Sequence, residues 1–508
     1  MFTISKKKKD KITVSFIDEA AAEDVTGSGV LITTPNHKIL LDYGLVQSND
    51  KYTDFIANNR KTKEFKAKDI DFVFVSHNHG DHCLAIPKLY KNGFRGATII
   101  SEGSKGIFRI MTEDSAQITE RDVLVINNQY DKKYEPLYSL ADVHTMLEYT
   151  LEKPINEKIH INDEISFKFV PSGHLLGGCQ IILYITIDGL NANTNYRLNF
   201  VYTTAKVDPE TEEIEIKKRK TINEKMIIIP VVLIGIIGGV FKPVEKCDLV
   251  IGESTYGNRP EIKTGRKERK NDLDKLKAII DTQVKEMNGR VLIPSFAQSR
   301  IQQLALYIYQ LFKNEEWQPK VYIDSPLAIQ IFKEYMNVLD GEDKEVFDEL
   351  MNWDNLIFTK ESEDSKWLVA SGEPCVILST AGFCQVGRVR HHLKALVGNP
   401  NATVLFVGYS SPGSLASLLK DPKCKTITID QKEYKCRCAC YSLKSLSGHM
   451  PFNQLIDYYS SINCNKIVLH HGSTDAKEGL KKVLEKELTK KCKTTRVVCA
   501  NSSLKFNL

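Results

Sequence analysis

The sequence lacks the features of secreted and membrane-embedded proteins. Its first ten residues, MFTISKKKKD, are charged, and no apolar stretch follows them, so no signal peptide is predicted. The 12 cysteines are scattered along 508 residues without a disulfide framework, which is typical of a reducing compartment. The net charge of +5 is small for this length and does not indicate a class of partner. We therefore expect a cytoplasmic protein without a membrane partner.

One hydrophobic run tests this expectation. MIIIPVVLIGIIGGVF at 226–241 has sixteen residues, whereas a membrane-spanning helix needs about twenty. A proline and three glycines interrupt the run, and its β-branched residues suit strands better than a helix. We predict two buried strands joined by a turn.

Length and pattern together predict more than one domain of the α/β class. A chain of 508 residues exceeds what one hydrophobic core usually holds. Short apolar runs alternate with turns up to about residue 255, and VLITTPNHKILLDYGL at 30–45 has the pattern of a hairpin. Helical patterns such as IQQLALYIYQLF then alternate with strands such as RVLIPSF, which predicts a doubly wound layer. We divide the chain into 1–255 with a polar insertion at about 207–225, 256–425, and 426–508.

The segment VFVSHNHGDHCLA at 73–85 carries three histidines and an aspartate in six positions. His77, His79, Asp81 and His82 directly follow a predicted buried strand, and ligands at a strand end are held rigidly. Neutral imidazoles and a carboxylate suit zinc, with manganese or iron as alternatives. Positions 77 and 79 can project the same way while Asp81 and His82 point elsewhere. One short loop can therefore serve two neighbouring ions.

Four motifs in order resemble the metallo-β-lactamase superfamily. HNHGDH resembles its His-x-His-x-Asp-His signature, and LLDYG, PSGHLLGG and LHHG resemble the motifs around it. The resemblance implies an αββα sandwich with a site for two zinc ions. It gives Asp42 of LLDYG a supporting role through hydrogen bonding. The implied ligands are His77, His79 and His174 for the first ion, and Asp81, His82 and His471 for the second.

Further motifs resemble one branch of this superfamily, the β-CASP nucleases, which include ribonuclease J and the endonuclease subunit of messenger-RNA 3′-end processing. The resemblance implies an inserted β-CASP α/β domain that closes over the metal cleft and leaves a slot for one nucleic-acid strand. The motifs are IGESTYG (251–257), IPSFAQSRIQQL (293–304), IDSPLA (323–328), STAGF (379–383), GYSSPGSL (408–415) and LSGHM (446–450).

The same resemblance implies a reaction and its catalytic residues. His449 of LSGHM becomes the proton donor to the leaving oxygen, Glu253 of ESTYG orients it, and Asp81 is counted as catalytic as well as a ligand. Two metal ions about 3.5–4 Å apart activate water and bind a phosphate oxygen. We expect a zinc-dependent ribonuclease acting on single-stranded RNA. Endonuclease or 5′-exonuclease action, DNA as substrate, and a homodimer or partner subunits are left open.

The metal-bridging aspartate of the family's Tyr-Thr-Gly-Asp motif has no counterpart in this chain. One alignment places Ala205 of VYTTAKVD at that position, and another places Ile236 of LIGIIGG there. We favour the first for its Tyr-Thr match, although the run to ESTYG is then unusually long. Asp208 is an alternative carboxylate if its loop bends inward. We expect weaker binding of the second ion, and a rival hypothesis stays open: a β-CASP subunit that binds RNA or a partner nuclease without cutting.

Overall fold

The structure is a computed structural model that describes residues 12–17, 25–48, 50–188, 195–203, 247–263, 265–408, 410, 413–501 and 503–507. The predicted polar insertion at 207–225, the apolar run at 226–241, and Ala205, Asp208 and Ile236 all lie outside these residues. Within the described ranges, each helix is either too short or too polar to cross a lipid bilayer.

A first seven-stranded sheet is built mainly from the N-terminal part of the chain. Its strands are Thr13–Phe16 (β1), Val30–Thr33 (β2), Lys38–Leu41 (β3), Phe72–Phe74 (β4), Ala97–Ser101 (β5), Thr150–Lys153 (β6) and Lys505–Asn507 (β22). β22, β1, β2 and β3 pair antiparallel, and β3 to β6 pair parallel. The hairpin predicted at 30–45 is confirmed as β2 and β3.

A second seven-stranded sheet packs against the first. Its strands are Lys158–His160 (β7), Ile165–Pro171 (β8), Cys179–Asp188 (β9), Asn195–Thr203 (β10), Leu249–Glu253 (β11), Lys466–His470 (β20) and Arg496–Cys499 (β21). β7 to β10 pair antiparallel, and β10, β11, β20 and β21 pair parallel. β20 therefore brings a distant part of the chain beside β11.

Apolar side chains between the two sheets form the core of the sandwich. Phe74 and Phe167 meet edge to face with ring centroids 5.0 Å apart. Val14, Leu41 and Ile181 are fully buried in the same cluster. Burying a large apolar side chain contributes about 1.5–3 kcal/mol. This layer therefore fixes the sheets, and with them the loops at their edges, relative to each other.

Helices cover the outer faces and complete the predicted αββα layering. Lys51–Asn59 (α1), Gly80–Cys83 (α2), Ile86–Lys91 (α3), Lys105–Tyr130 (α4) and Leu140–Glu148 (α5) pack on the first sheet, with a 3₁₀ turn at Ala67–Asp69. Phe452–Ser461 (α13) and Thr474–Lys490 (α14) pack on the second. The 26-residue α4 was not identified from sequence, because its apolar positions are broken up by polar residues; its buried side chains include Phe108 and Val123.

A third sheet of six parallel strands follows β11. Its order is β14-β13-β15-β12-β16-β19, and an antiparallel hairpin of two further strands precedes β19. The six strands of the sheet are Arg290–Pro294 (β12), Val321–Asp324 (β13), Leu356–Phe358 (β14), Cys375–Ser379 (β15), Ala402–Val407 (β16) and Ala439–Leu443 (β19). The hairpin consists of Thr426–Ile429 (β17) and Lys432–Lys435 (β18). The predicted boundary at 425 stays a prediction, but β19 lies beyond it and still belongs to this sheet.

Helices lie on both faces of the third sheet, as a doubly wound layer requires. Val291 and Ile293 of β12 are buried with one set of helices, whereas Leu292 is buried with another. The helices are Arg266–Ile280 (α6) with a π-helical turn at Asp281–Glu286, Arg300–Phe312 (α7), Pro326–Val338 (α8), Gly341–Met351 (α9), Ser362–Ser371 (α10), Val389–Leu396 (α11) and Leu415–Leu419 (α12).

Candidate metal centre

The predicted ligands come together at one edge of the sandwich. His77 follows β4, His174 follows β8 and His471 follows β20, so their loops leave the carboxyl ends of strands at the same edge. All six predicted ligands are placed in two groups, within each of which one ligand atom per residue lies within 4.8 Å of the others. The groups are His77, His79 and His174, and Asp81, His82 and His471.

The first group has the spacing of a metal site. Nδ1 of His79 lies 3.2 Å from Nε2 of His77 and 3.2 Å from Nε2 of His174. Ligand nitrogens 2.0–2.1 Å from a tetrahedral zinc ion are about 3.3–3.4 Å from one another. The three imidazoles therefore fit zinc with one position left for water or substrate.

The second group combines one carboxylate with two imidazoles. Oδ2 of Asp81 lies 3.1 Å from Nε2 of His471 and 3.5 Å from Nε2 of His82. Three protein ligands and an open position are the composition of a catalytic zinc site. The ligand types of the second group therefore fit a divalent metal ion, as those of the first group do.

Hydrogen bonds to Nδ1, the ring nitrogen that does not face the other ligands, fix the orientation of two candidate ligand rings. Asp42 is fully buried and accepts from the main-chain N–H of Ser76 at 2.7 Å, from its hydroxyl at 2.6 Å and from Nδ1 of His82 at 2.7 Å. Nδ1 of His174 donates to the main-chain oxygen of Gly448 at 2.8 Å. Such partners select the tautomer and leave Nε2 for the metal. The predicted supporting role of Asp42 agrees with these contacts.

The protonation states of the two groups differ. Burial lowers the pKa of His77 and His174 well below the ordinary value and that of His79 to about 4, so the first group is neutral at physiological pH. Burial opposes ionisation of Asp81, but His82 and His471 outweigh it and hold the pKa of Asp81 below its usual range. The neutral imidazoles of the first group can bind a metal without first losing a proton. In the second group burial lowers the pKa of His82, but Asp81 and Asp42 more than offset this and raise it, so protonation of this ring competes with metal binding.

His449 and Glu253 lie beside both groups. The ring of His449 is 5.9 Å from that of His174 and 5.7 Å from that of His471, centroid to centroid. Its Nδ1 is 2.9 Å from Oε2 of Glu253, whose other oxygen accepts from the main-chain N–H of Met450 at 3.0 Å. Burial raises the pKa of Glu253, but His449 more than offsets this and keeps the carboxyl ionised.

Sequence comparisons identify the family of the chain. The Metallo-beta-lactamase superfamily profile matches residues 23–110, the Beta-Casp domain profile matches 301–419, and the profile of the Zn-dependent metallo-hydrolase RNA specificity domain matches 433–495. The chain belongs to the β-CASP family of the metallo-β-lactamase superfamily. The Beta-Casp match at 301–419 covers β13 to β16 and α7 to α12, so we assign the third sheet and its helices to the β-CASP domain.

Several characterised proteins resemble this β-CASP chain along most of its length. Ribonuclease TTHA0252 of Thermus thermophilus is 26% identical over 473 residues, 91% of this chain and 94% of its own. The RNase J-like protein of Methanocaldococcus jannaschii is 27% identical, over 88% and 89% of the two chains. Cleavage and polyadenylation specificity factor 73 of Drosophila melanogaster is 25% identical over 92% of this chain and 61% of its own.

A solved structure also shares the fold. The crystal structure of a protein of unknown function from Enterococcus faecalis V583 has a TM-score of 0.50 and 13% sequence identity, with 98% of this chain and 100% of that chain covered. At this identity the likeness concerns the fold alone.

The end of β10 bears on the missing bridging aspartate of the β-CASP motif. Thr203 is the last residue of β10 and pairs with Gly252 of β11, directly before Glu253. The Tyr-Thr pair of the favoured alignment therefore ends a strand at the same edge as the metal ligands. Ala205 itself lies outside the described residues, so the choice between the two alignments stays a prediction.

Two β-CASP residues near the candidate ligands were not singled out from sequence. Both belong to the quoted motif IPSFAQSRIQQL: Phe296 lies between β12 and α7, and Arg300 is the first residue of α7. The ring centroid of Phe296 is 6.5 Å from that of His79. A Cβ on Gly448 would lie 3.3 Å from Nη2 of Arg300 and 3.0 Å from the ring of His174. The motif was recognised in the sequence. Its position relative to the candidate ligands depends on how the two domains pack, which the sequence does not show.

The aspartate of the IDSPLA motif has a structural role. Asp324 is fully buried and accepts from Nε2 of His392 at 2.6 Å, Arg388 at 2.8 Å, Thr359 at 2.6 Å and Ser365 at 2.8 Å. These bonds lower its pKa, although burial acts in the opposite direction. The carboxylate therefore joins four elements at the carboxyl ends of the β-CASP strands and is not part of the metal centre.

We predict that Asp42→Ala lowers zinc affinity by about 10- to 100-fold, because His82 loses the acceptor that orients its ring. Competition with a chromogenic chelator measures the affinity. Asp274→Ala removes a carboxylate with 61% of its side chain exposed on α6 and serves as the matched control. Equal affinities of the Asp42→Ala protein and the unchanged protein would refute this role.

Gly44 leaves room for the ligand loop. A Cβ at this position would lie 1.8 Å from the main-chain oxygen of Asp81, a distance that the backbone must relieve by moving. We predict that Gly44→Ala lowers both the melting temperature and the metal content after dialysis. Gly398→Ala is the control, since its Cβ would have no neighbour closer than 3.7 Å. Full metal content in the Gly44→Ala protein would contradict the assignment.

Proposed function

We propose that this protein is a metal-dependent ribonuclease that hydrolyses phosphodiester bonds of single-stranded RNA. The observation that carries the proposal is the His449–Glu253 pair, 2.9 Å apart and adjacent to both ligand groups. A metal centre alone suits many hydrolases, but a proton donor beside it suits displacement of a poor leaving group such as a ribose oxygen. The printed functions of the relatives, ribonuclease among them, support RNA as substrate.

The two ligand groups are proposed to hold zinc. Zinc held by His77, His79 and His174, and by Asp81, His82 and His471, would supply Lewis acidity toward the phosphate and an activated water as nucleophile. The donor types and spacings of the two groups support this assignment, with manganese as an alternative.

His449 is proposed to donate the proton to the leaving oxygen. Glu253 engages Nδ1 of His449, so Nε2 is the nitrogen left to donate. Glu253 is itself held by Met450 and is buried, with 1% of its surface exposed, so the pair keeps its orientation in the absence of substrate. An imidazole suits this step because its protonation changes near neutral pH.

The rival function is a β-CASP subunit that binds RNA or a partner nuclease without cutting. Its support is the uncharged residue, Ala205 or Ile236, at the position of the bridging aspartate. All six other ligands and the His449–Glu253 pair persist, which favours the enzyme. Endonuclease or exonuclease action, a cytoplasmic location, and a homodimer or partner subunits stay predictions.

We predict metal-dependent cleavage of labelled single-stranded RNA that chelator abolishes. His449→Ala should lower kcat by about 10²- to 10⁴-fold, the usual contribution of a general acid, with unchanged metal content. His144→Ala, an exposed histidine with 64% of its side chain accessible, should cleave normally. If the metal-loaded, unmodified protein binds RNA but does not cleave it, the proposal is refuted in favour of the non-cutting subunit.

We further predict that the second ion is held weakly. Without the bridging carboxylate, repulsion between the two ions is not offset, so dialysed protein should hold fewer than two zinc ions. Ala205→Asp should raise the zinc content toward two per chain and increase cleavage. Ala205→Asn matches the shape without the charge and should do neither. Two tightly held ions in the unmodified protein would count against the prediction.

A further inference from the structure

An exposed aromatic ring lies at the rim of the metal centre. Phe296 has 44% of its surface exposed, although it sits between the buried strand β12 and the buried start of α7. Its ring centroid is 6.5 Å from that of the ligand His79. An isolated exposed phenylalanine needs no explanation, but one beside a candidate catalytic centre suggests a contact with substrate.

The ring of Phe296 is supported from the β-CASP domain. Phe383 of the STAGF motif meets it edge to face with centroids 5.2 Å apart. A Cβ on the preceding Gly382 would lie 3.4 Å from the Phe296 ring, so the glycine lets the ring pack closely on the chain. The ring is thus positioned by neighbours on the domain side while much of its surface stays accessible.

Arg300 places a positive charge near the same ligands. It follows Ser299, whose φ of 69° lies in the left-handed region that non-glycine residues seldom adopt. Nη2 of Arg300 and the His174 ring both lie close to Gly448, where an added Cβ would be 3.3 Å from the first and 3.0 Å from the second. Strained backbone of this kind is often found where a side chain must point into a functional site.

The guanidinium of Arg300 has no anionic partner among the described residues. Its side chain donates to Oε1 of Gln303, and none of the ion pairs found among the described residues includes Arg300. Burial lowers the pKa of Arg300, which reflects the cost of enclosing a cation without a counter-charge. A phosphate supplies that charge and matches the geometry of the guanidinium fork.

We propose that Phe296 and Arg300 form a nucleotide subsite in which a base of single-stranded RNA stacks on Phe296 and a backbone phosphate binds Arg300. The subsite rests on the proposed function, because it takes the same RNA strand. Base stacking needs an accessible aromatic face, and phosphate binding needs an unpaired cation. Both groups come from one short segment of the β-CASP domain and reach the metal centre of the other domain.

The stacking contact is tested by binding, so that cleavage is not required. Fluorescence anisotropy measures the affinity of a labelled RNA oligonucleotide, and of the same backbone with abasic residues, for full-length His449→Ala protein. Adding Phe296→Leu should weaken binding of the normal oligonucleotide about 5- to 150-fold, the usual range for one stacked base. It should leave binding of the abasic strand unchanged.

The matched control is Trp367→Leu. Trp367 is a larger ring with 54% of its surface exposed, but it packs near Tyr322 and not near a metal ligand. It should leave both affinities unchanged. An equal loss for normal and abasic strands in the Phe296→Leu protein, or no loss for either, would overturn the stacking contact.

The phosphate contact has its own measurement. Arg300→Met should reduce the slope of log affinity against log salt concentration by about 0.7, the value for one phosphate contact on a single strand. Arg109→Met on α4, with 49% of the side chain exposed, is the control and should leave the slope unchanged. An unaltered slope in the Arg300→Met protein would overturn this half of the subsite.

These outcomes separate the subsite from the proposed reaction. RNA that binds with the expected Phe296 and Arg300 effects, yet is never cut by the unmodified metal-loaded protein, supports the subsite and refutes the ribonuclease. RNA that is cut while both substitutions leave binding unchanged supports the ribonuclease and refutes the subsite. Preference for double-stranded over single-stranded RNA would also refute the subsite, since both faces of a base inside a duplex are covered by the neighbouring bases.

Discussion

Asp42 lies fully buried at the end of β3 and accepts three hydrogen bonds, two from Ser76 and one from His82. One carboxylate thereby connects the start of the ligand loop to its end. Its φ of 57° lies in the left-handed region, which lets the chain turn sharply after the strand. Without these hydrogen bonds, nothing in this loop would fix the position of His77 relative to His82. The two ligand groups would then not keep their spacing.

Packing between the two domains adds further contacts around the candidate ligands. Nδ1 of His174 donates to the main-chain oxygen of Gly448, which lies next to His449. Arg300 approaches the same glycine from the β-CASP domain. His174, His449 and Arg300 therefore meet around a residue without a side chain. All six candidate ligands belong to the sandwich, so movement of the β-CASP domain would shift Arg300 relative to them without separating the ligands from one another.

The sequence predicted the sandwich, and it predicted which side chains the structure brings together as candidate ligands, because this information is local. HNHGDH is a compact motif after a strand, and the strand ends carry the remaining ligands. Residues such as Phe296 and Arg300 are different, since their roles depend on which surface of another domain they reach. The long helix α4 escaped detection for a related reason: tertiary contacts of side chains such as Phe108 stabilise it, whereas its local apolar pattern is weak.

Under the proposed function, two metal ions without a bridging carboxylate would leave an excess of positive charge at the centre. Two doubly charged ions 4 Å apart repel by about 4 kcal/mol even with the dielectric constant of water. The first ligand group contains no charged ligand, and Asp81 is the one carboxylate of the second. Arg300 adds a further positive charge nearby.

Under the proposed function, the substrate phosphate is the negative charge that can take the place of the absent aspartate. Binding of the second ion and binding of RNA would then strengthen each other by the same factor, because coupling between two ligands is reciprocal. The site would reach its full metal content only with substrate in place. In other members of the family a carboxylate of the protein binds the metals permanently. Here a phosphate group would take its place, arriving with the RNA and leaving with the product.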